Sequence, residues 1–275
     1  PWFEDKEAEL VRSLSGPKLG ADHAFPGSQD VSGALNPLRY SLTPWEVERI
    51  TAQAKETALA VEETALEIRP GDEERAVIGR LSSRLWSRGM DFVTAFCAAD
   101  DRISRYRHPV ATDAAIRKRA MISVNSRRRG LIVSLTRFVQ FGSLSADLRK
   151  RYEDNVQIDC IMMAATRPGR AASEVFLEAV KAYVERGYPE GYRLHHQGGA
   201  IGYVGRDYRA TERTADIIRE NQAFTWNPSI TGVKSEDTML ATASGPVVLS
   251  EPAVFPVLET TVNGYTFRRP DILEV

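Results

Sequence analysis

Cysteine is scarce in this chain of 275 residues: Cys97 and Cys160 are the only two, far apart and outside any CxxC spacing. That usage suits free thiols in a reducing compartment better than a disulfide framework, and the chain is read as cytoplasmic. Long apolar runs are missing too. No stretch reaches 18 apolar residues, and the N-terminus lacks the basic-then-apolar order of a signal peptide, so neither a membrane span nor secretion is expected. An excess of one charge sign is also absent. Thirty-six Lys and Arg against 37 Asp and Glu give a net charge of -1, which leaves no global field to steer the chain to nucleic acid or an anionic membrane. The expected partner is a small-molecule substrate, with no nucleic acid and no membrane. An initiator Met is absent as well; the chain starts at Pro1 and is read as a fragment of something longer.

What is present is a real core, since 43% of the residues are hydrophobic. Residues 1–40 are rich in Gly and Pro without sustained periodicity, and read as a linker. The domain proper spans 41–275. Thr43-Pro44-Trp45-Glu46 supplies an N-cap, a proline for the first turn and a capping-box Glu ahead of Val47, Ile50, Ala54, Ala58 and Val61 at helical spacing. Arg69-Pro70-Gly71-Asp72 ends that helix, and Asp72 is the expected cap of a second, closed by Gly89. Short β-like runs follow at Phe92–Phe96, Met121–Val124 and Leu131–Phe141. Two more helices are predicted, from Ser145 toward Ala165 and from Ser173 to Arg186. Beyond Ala223 the chain turns to short strands, with Asn263-Gly264 as a hairpin signal. Helices, strands, helices and strands in blocks describe an α+β fold, not an alternating one.

Five local patterns then stand in a telling order. They are Arg107-His108-Pro109; Gly130 with Thr136-Arg137; Arg167-Pro168-Gly169; Gly198-Gly199-Ala200-Ile201-Gly202; and Phe224-Thr225-Trp226-Asn227-Pro228 followed by Gly232 to Thr238. Together, across roughly Leu42 to Thr242, they resemble the catalytic domain shared by creatinase, methionine aminopeptidase and prolidase. The resemblance implies the pita-bread fold, a curved antiparallel-rich sheet covered by helices. It also implies that residues 1–40 are the tail of a preceding, mostly missing domain, and that the protein is a homodimer.

In the metallopeptidases of that family two Asp, one His and two Glu hold a pair of divalent ions, because hard cations and an activated water need clustered anionic oxygens. Carried onto this chain, the two Asp positions fall on Ser123 and Ser134, the His on Gly199 and the first Glu on Asn227. Only the last Glu survives, as Glu236. Asn125 is the alternative to Ser123, and it too is neutral. One carboxylate cannot hold two divalent ions tightly, so no metal site and no cofactor are expected. Creatinase implies what remains: a metal-independent hydrolase or lyase acting on a C–N bond of a small polar, carboxylate-bearing substrate. His108 takes the acid/base position, with Glu236 beside it. Arg206, where the family has a second His, implies an anionic substrate group. His195, His196, Tyr203, Asn227 and Arg137 complete the expected substrate-binding set. As neighbours on a strand, His195 and His196 face opposite sides, so at most one looks into the pocket.

Other readings compete. A metallopeptidase of Xaa-Pro aminopeptidase type would hold one metal on Glu236, a histidine and Asp237; a pseudoenzyme would only bind. Glu236 has a plainer use as the partner of Lys234 or Arg137, and Arg206 as the partner of Asp207. Ser126-Arg127-Arg128-Arg129 reads as a solvated turn, and Cys160 as a core residue.

Overall fold

The computed structural model describes residues 2–4 and 6–275. Its first long helix, Pro44–Leu66, opens on the predicted capping box: Glu46 N donates to Thr43 Oγ1 at 3.3 Å and Thr43 N donates to Glu46 Oε2 at 2.8 Å. Ile50, Ala54, Ala58 and Val61 lie buried along one face. The second helix is Glu74–Ser87, and Asp72 does not cap it. Instead Asp72 accepts from Arg69 N at 2.9 Å and from Arg80 at 2.5 Å, closing the turn that Pro70 and Gly71 begin. Ser145 caps the helix Ala146–Ala165 through Leu148 N at 3.2 Å. Ala172–Glu185 starts with no side-chain cap, so Ser173 lies inside its first turn. Ahead of Tyr40, where no periodicity was read, a helix forms over Glu7–Leu14 and buries none of its residues.

Two sheets carry the site. One is four-stranded, with Asp91–Ala99, Arg119–Arg128 and Leu131–Gln140 antiparallel and Leu273–Glu274 added in parallel at the edge. The helices Pro44–Leu66 and Glu74–Ser87 cover it. The other is five-stranded and antiparallel, in the order Gly245–Val248, Asp237–Thr242, Gln222–Trp226, Gly198–Ile201, Tyr208–Arg209. Ala146–Ala165 and Ala172–Glu185 pack on each other behind it. A hairpin, Val257–Val262 with Tyr265–Pro270, turns at Asn263 and Gly264 with φ of 50° and 82°, the left-handed pair that an Asn-Gly turn requires.

The sheets meet where Leu131–Gln140 lies against Asp237–Thr242. Thr136 N donates to Glu236 O at 3.0 Å, and Thr238 Oγ1 both accepts from Ser134 N at 2.9 Å and donates to Ser134 O at 3.0 Å. Beneath this junction runs a chain of buried charges of alternating sign. Arg137 pairs with Glu62 at 2.8 Å and Asp237 at 3.0 Å; Arg269 pairs with Asp237 at 3.0 Å and Asp159 at 2.6 Å; all these side chains are fully buried. The Arg269–Asp237 pair is an ion pair without hydrogen-bond geometry. Arg137 is therefore a core residue, its remaining donors going to Thr136 O and Ser250 O. This corrects its expected place in the substrate pocket: the strand pattern that located Arg137 does not reveal which face it uses.

Removing one member of such a network leaves an uncompensated buried charge, which costs about 3–5 kcal/mol. Arg137→Met is expected to lower unfolding stability by about that amount in urea titrations. A loss below ~1 kcal/mol would show that the network carries no such load.

Candidate functional site

A cleft of about 410 Å³ opens at the junction of the sheets, and Glu236 forms part of its wall. Asp237 turns into the charge network while Glu236, its neighbour in an extended stretch, turns the other way. Glu236 is buried, and its Oε2 accepts from Lys234 Nζ at 2.6 Å, Thr136 Oγ1 at 2.7 Å and Ser123 Oγ at 3.0 Å. Its Oε1 lies 3.8 Å from Arg206 Nη2. Burial alone would raise this carboxyl, but Lys234 and Arg206 outweigh it and hold the group down at about 2. Of the two plain partners weighed for Glu236, Lys234 is the one used. Asp207, in turn, pairs with Arg39 at 3.0 Å, leaving Arg206 to the cleft.

The three histidines converge. His108 Nε2 and His195 Nε2 are 3.1 Å apart, and the His195 and His196 rings stack with centroids at 4.2 Å. His196 also stacks on His108, at 5.9 Å. His195 and His196 do not face opposite sides, because they lie between the single helical turn Gly191–Leu194 and the strand Gly198–Ile201, where no pleat alternates them; of the two, His196 alone is among the residues lining the cleft, in agreement with the expectation of at most one. Burial and then Lys234 push the His195 imidazole down to about 2; burial and then Arg206 push His196 down to about 3. His108 is lowered by the same two causes as His195. All three rings are thus neutral at neutral pH, and Nδ1 of His195 and of His196 is buried without a partner.

Among the other expected residues, Asn227 lines the cleft with its Oδ1 buried and unpartnered. Ser123 and Asn125 both line it. Tyr203 does not: its hydroxyl donates to Glu46, and its ring packs over Gly130. Lys234 and Arg209 were not expected as lining residues. Lys234 was legible, since positions two apart in an extended chain share a face and Glu236 had already been singled out. Arg209 had no such signal, because the loop at Gly205 sets where the following strand points.

Do these residues fit the pair of divalent ions that the resemblance implies? Ser123, Ser134, Gly199 and Asn227 offer no negative charge, and the one carboxylate is taken by the Lys234 ammonium. Gly199 closes the question sterically. It has φ +153°, and a Cβ there would lie 2.1 Å from Tyr208 O, so no histidine fits on this backbone. The family's dinuclear site does not fit. The trio does better for a single ion: among the described residues, His108, His195 and His196 present ligand atoms within 4.8 Å of one another. Three neutral imidazoles suit one borderline cation such as zinc. Asp237, the ligand that the metallopeptidase reading would use, is sealed in the core.

Two outcomes follow from this geometry. Because the Glu236 carboxyl falls from an ordinary 4.5 to about 2 on folding, its contribution of about 3 kcal/mol is present above pH 4.5 and lost as pH falls through that window. The stability gap between wild type and Glu236→Gln, from denaturant curves, should shrink as pH drops from 4.5 toward 2; a constant gap contradicts it. Gly199→His should lower the melting temperature and add no bound metal.

The profile of metallopeptidase family M24 matches residues 48–243. An Xaa-Pro dipeptidase from Lactobacillus helveticus is 25% identical over 234 residues, 80% of this chain and 63% of that protein. One from Pyrococcus furiosus is 26% identical over 226 residues, 78% of this chain and 64% of its own length. The chain thus spans a little under two thirds of these relatives. Among solved structures, the prolidase from Pyrococcus furiosus superposes with a TM-score of 0.81 at 22% identity, over 90% of this chain and 80% of that one. The fold is the pita-bread α+β fold. The metal-independent hydrolase expected from the missing ligands is overturned, because the matching family is one of metallopeptidases and the curated relatives are named as dipeptidases. With the family profile covering most of its length, the chain belongs to metallopeptidase family M24.

Proposed function

We propose that this chain hydrolyses the C–N bond of a short peptide or peptide-like amide, as a metallopeptidase with a non-standard centre. The observation that carries it is the convergence of His108, His195 and His196 beside the cleft that holds Glu236. The names of its Xaa-Pro dipeptidase relatives supply the bond class. One divalent ion would be held by the three imidazoles and would supply Lewis-acid polarisation of the scissile carbonyl. Neutral rings support this, since a protonated imidazole has no lone pair to give.

The protein's own groups do the rest. Asn227 Oδ1, buried and unpartnered, accepts an N–H of the substrate. Arg206 and Lys234 bind negative charge on it, and Glu236 keeps both cations in place. His108, the most exposed of the trio, stands where substrate enters. Lys234 and Arg206 oppose a nearby divalent ion, and Glu236 offsets part of that repulsion. Two buried thiols support the cytoplasmic assignment, and the family resemblance supports a homodimer.

The test takes protein purified without chelator, measures its metal content, and follows amine release from free and N-acylated dipeptides before and after chelation. Expected are about one ion per chain, reduced at least ~10-fold by His195→Ala or His196→Ala, and hydrolysis of at least one substrate type that chelation abolishes. Hydrolysis that survives chelation, or none on any substrate, overturns the reading.

A further inference from the structure

The charges around the cleft do not balance. Lys234, Arg206 and Arg209 line it, and Glu236 is the one carboxylate among its lining residues, so three positive charges against one negative leave two uncompensated. The ion pairs at the site join Lys234 at 2.6 Å and Arg206 at 3.8 Å to that same carboxylate; none among the described residues reaches Arg209. Arg206 Nε is buried with no hydrogen-bond partner. Lys234 and Arg206 share a single carboxylate and Arg209, exposed at the rim, has none, so a ligand that brings negative charge is favoured here.

A free ammonium meets the opposite situation. A dipeptide with a free amino end needs a carboxylate acceptor, and Glu236 Oε2 already takes three donors while its Oε1 faces a guanidinium. What the cleft offers instead is the unpartnered Asn227 Oδ1, suited to an amide N–H. We propose that the ligand of this cleft is a small dianion, a dicarboxylate bearing an amide and no free amino group, in place of the zwitterionic dipeptide that the relatives' names imply. An N-acylated acidic amino acid has this chemistry. The proposal rests on the reading above that the cleft is the substrate site, but it concerns binding and needs no turnover.

Isothermal titration of the whole chain, as purified and after chelation, tests it with three probes: N-acetyl-aspartate, N-acetyl-alanine and Ala-Pro. N-acetyl-aspartate is expected to bind at least ~10-fold more tightly than either other probe, with affinity falling as salt is raised. Arg209→Gln, at an exposed position, should remove most of that preference while melting like wild type. Equal or tighter binding of Ala-Pro overturns the proposal, as does a preference that Arg209→Gln leaves intact. Binding of the dianion without metal-dependent hydrolysis would leave this inference standing and remove the peptidase reading. Hydrolysis of Ala-Pro without dianion binding would do the reverse.

Discussion

Five fully buried charges, Glu62, Arg137, Asp237, Arg269 and Asp159, hold the two halves of this fold in register. Each comes from a different element: two helices, two sheet strands and the terminal hairpin. No single layer can slide without separating a pair in a medium where separation is expensive. The cleft depends on this arrangement directly. Asp237 is anchored on two arginines in the core, and that anchor aims Glu236, one residue earlier, at the cavity.

Much of the fold is legible in the chain because it is written locally. Thr43 to Glu46 specifies a helix start through hydrogen bonds within four residues, and Asn263-Gly264 specifies a turn through backbone conformations few other pairs adopt. Glu236 and Arg206 are legible for another reason: glycine- and proline-marked stretches fix their place in a known order. Legibility ends where tertiary geometry decides. Arg137 sits in a recognisable strand, yet its direction is set by Glu62, 75 positions away. Strand alternation placed His195 and His196 on opposite faces, whereas the loop that holds them brings both rings to His108. Asp72 looked like a cap and turned out to close a turn, a role that needs the same short carboxylate.

The site also shows how a single buried carboxylate is balanced in electrostatic terms. A lone buried carboxylate left behind by its partners would be severely penalised. Here Lys234 brings a single positive charge on the same extended segment, two residues away, and hydroxyls of Ser123 and Thr136 complete the shell of Glu236. A tethered cation thus balances the charge of this carboxylate, and the neutral imidazoles of His108, His195 and His196 lie on the same side of the fold.

The backbone of Gly199 lies so close to Tyr208 that no side chain of any kind can be added without prising two strands apart. The family's histidine therefore cannot be introduced at this position alone, however favourable the other exchanges. The strand pairing itself thus fixes glycine here: any larger residue at position 199 would have to break the pairing with Tyr208–Arg209 before it could reach the cleft.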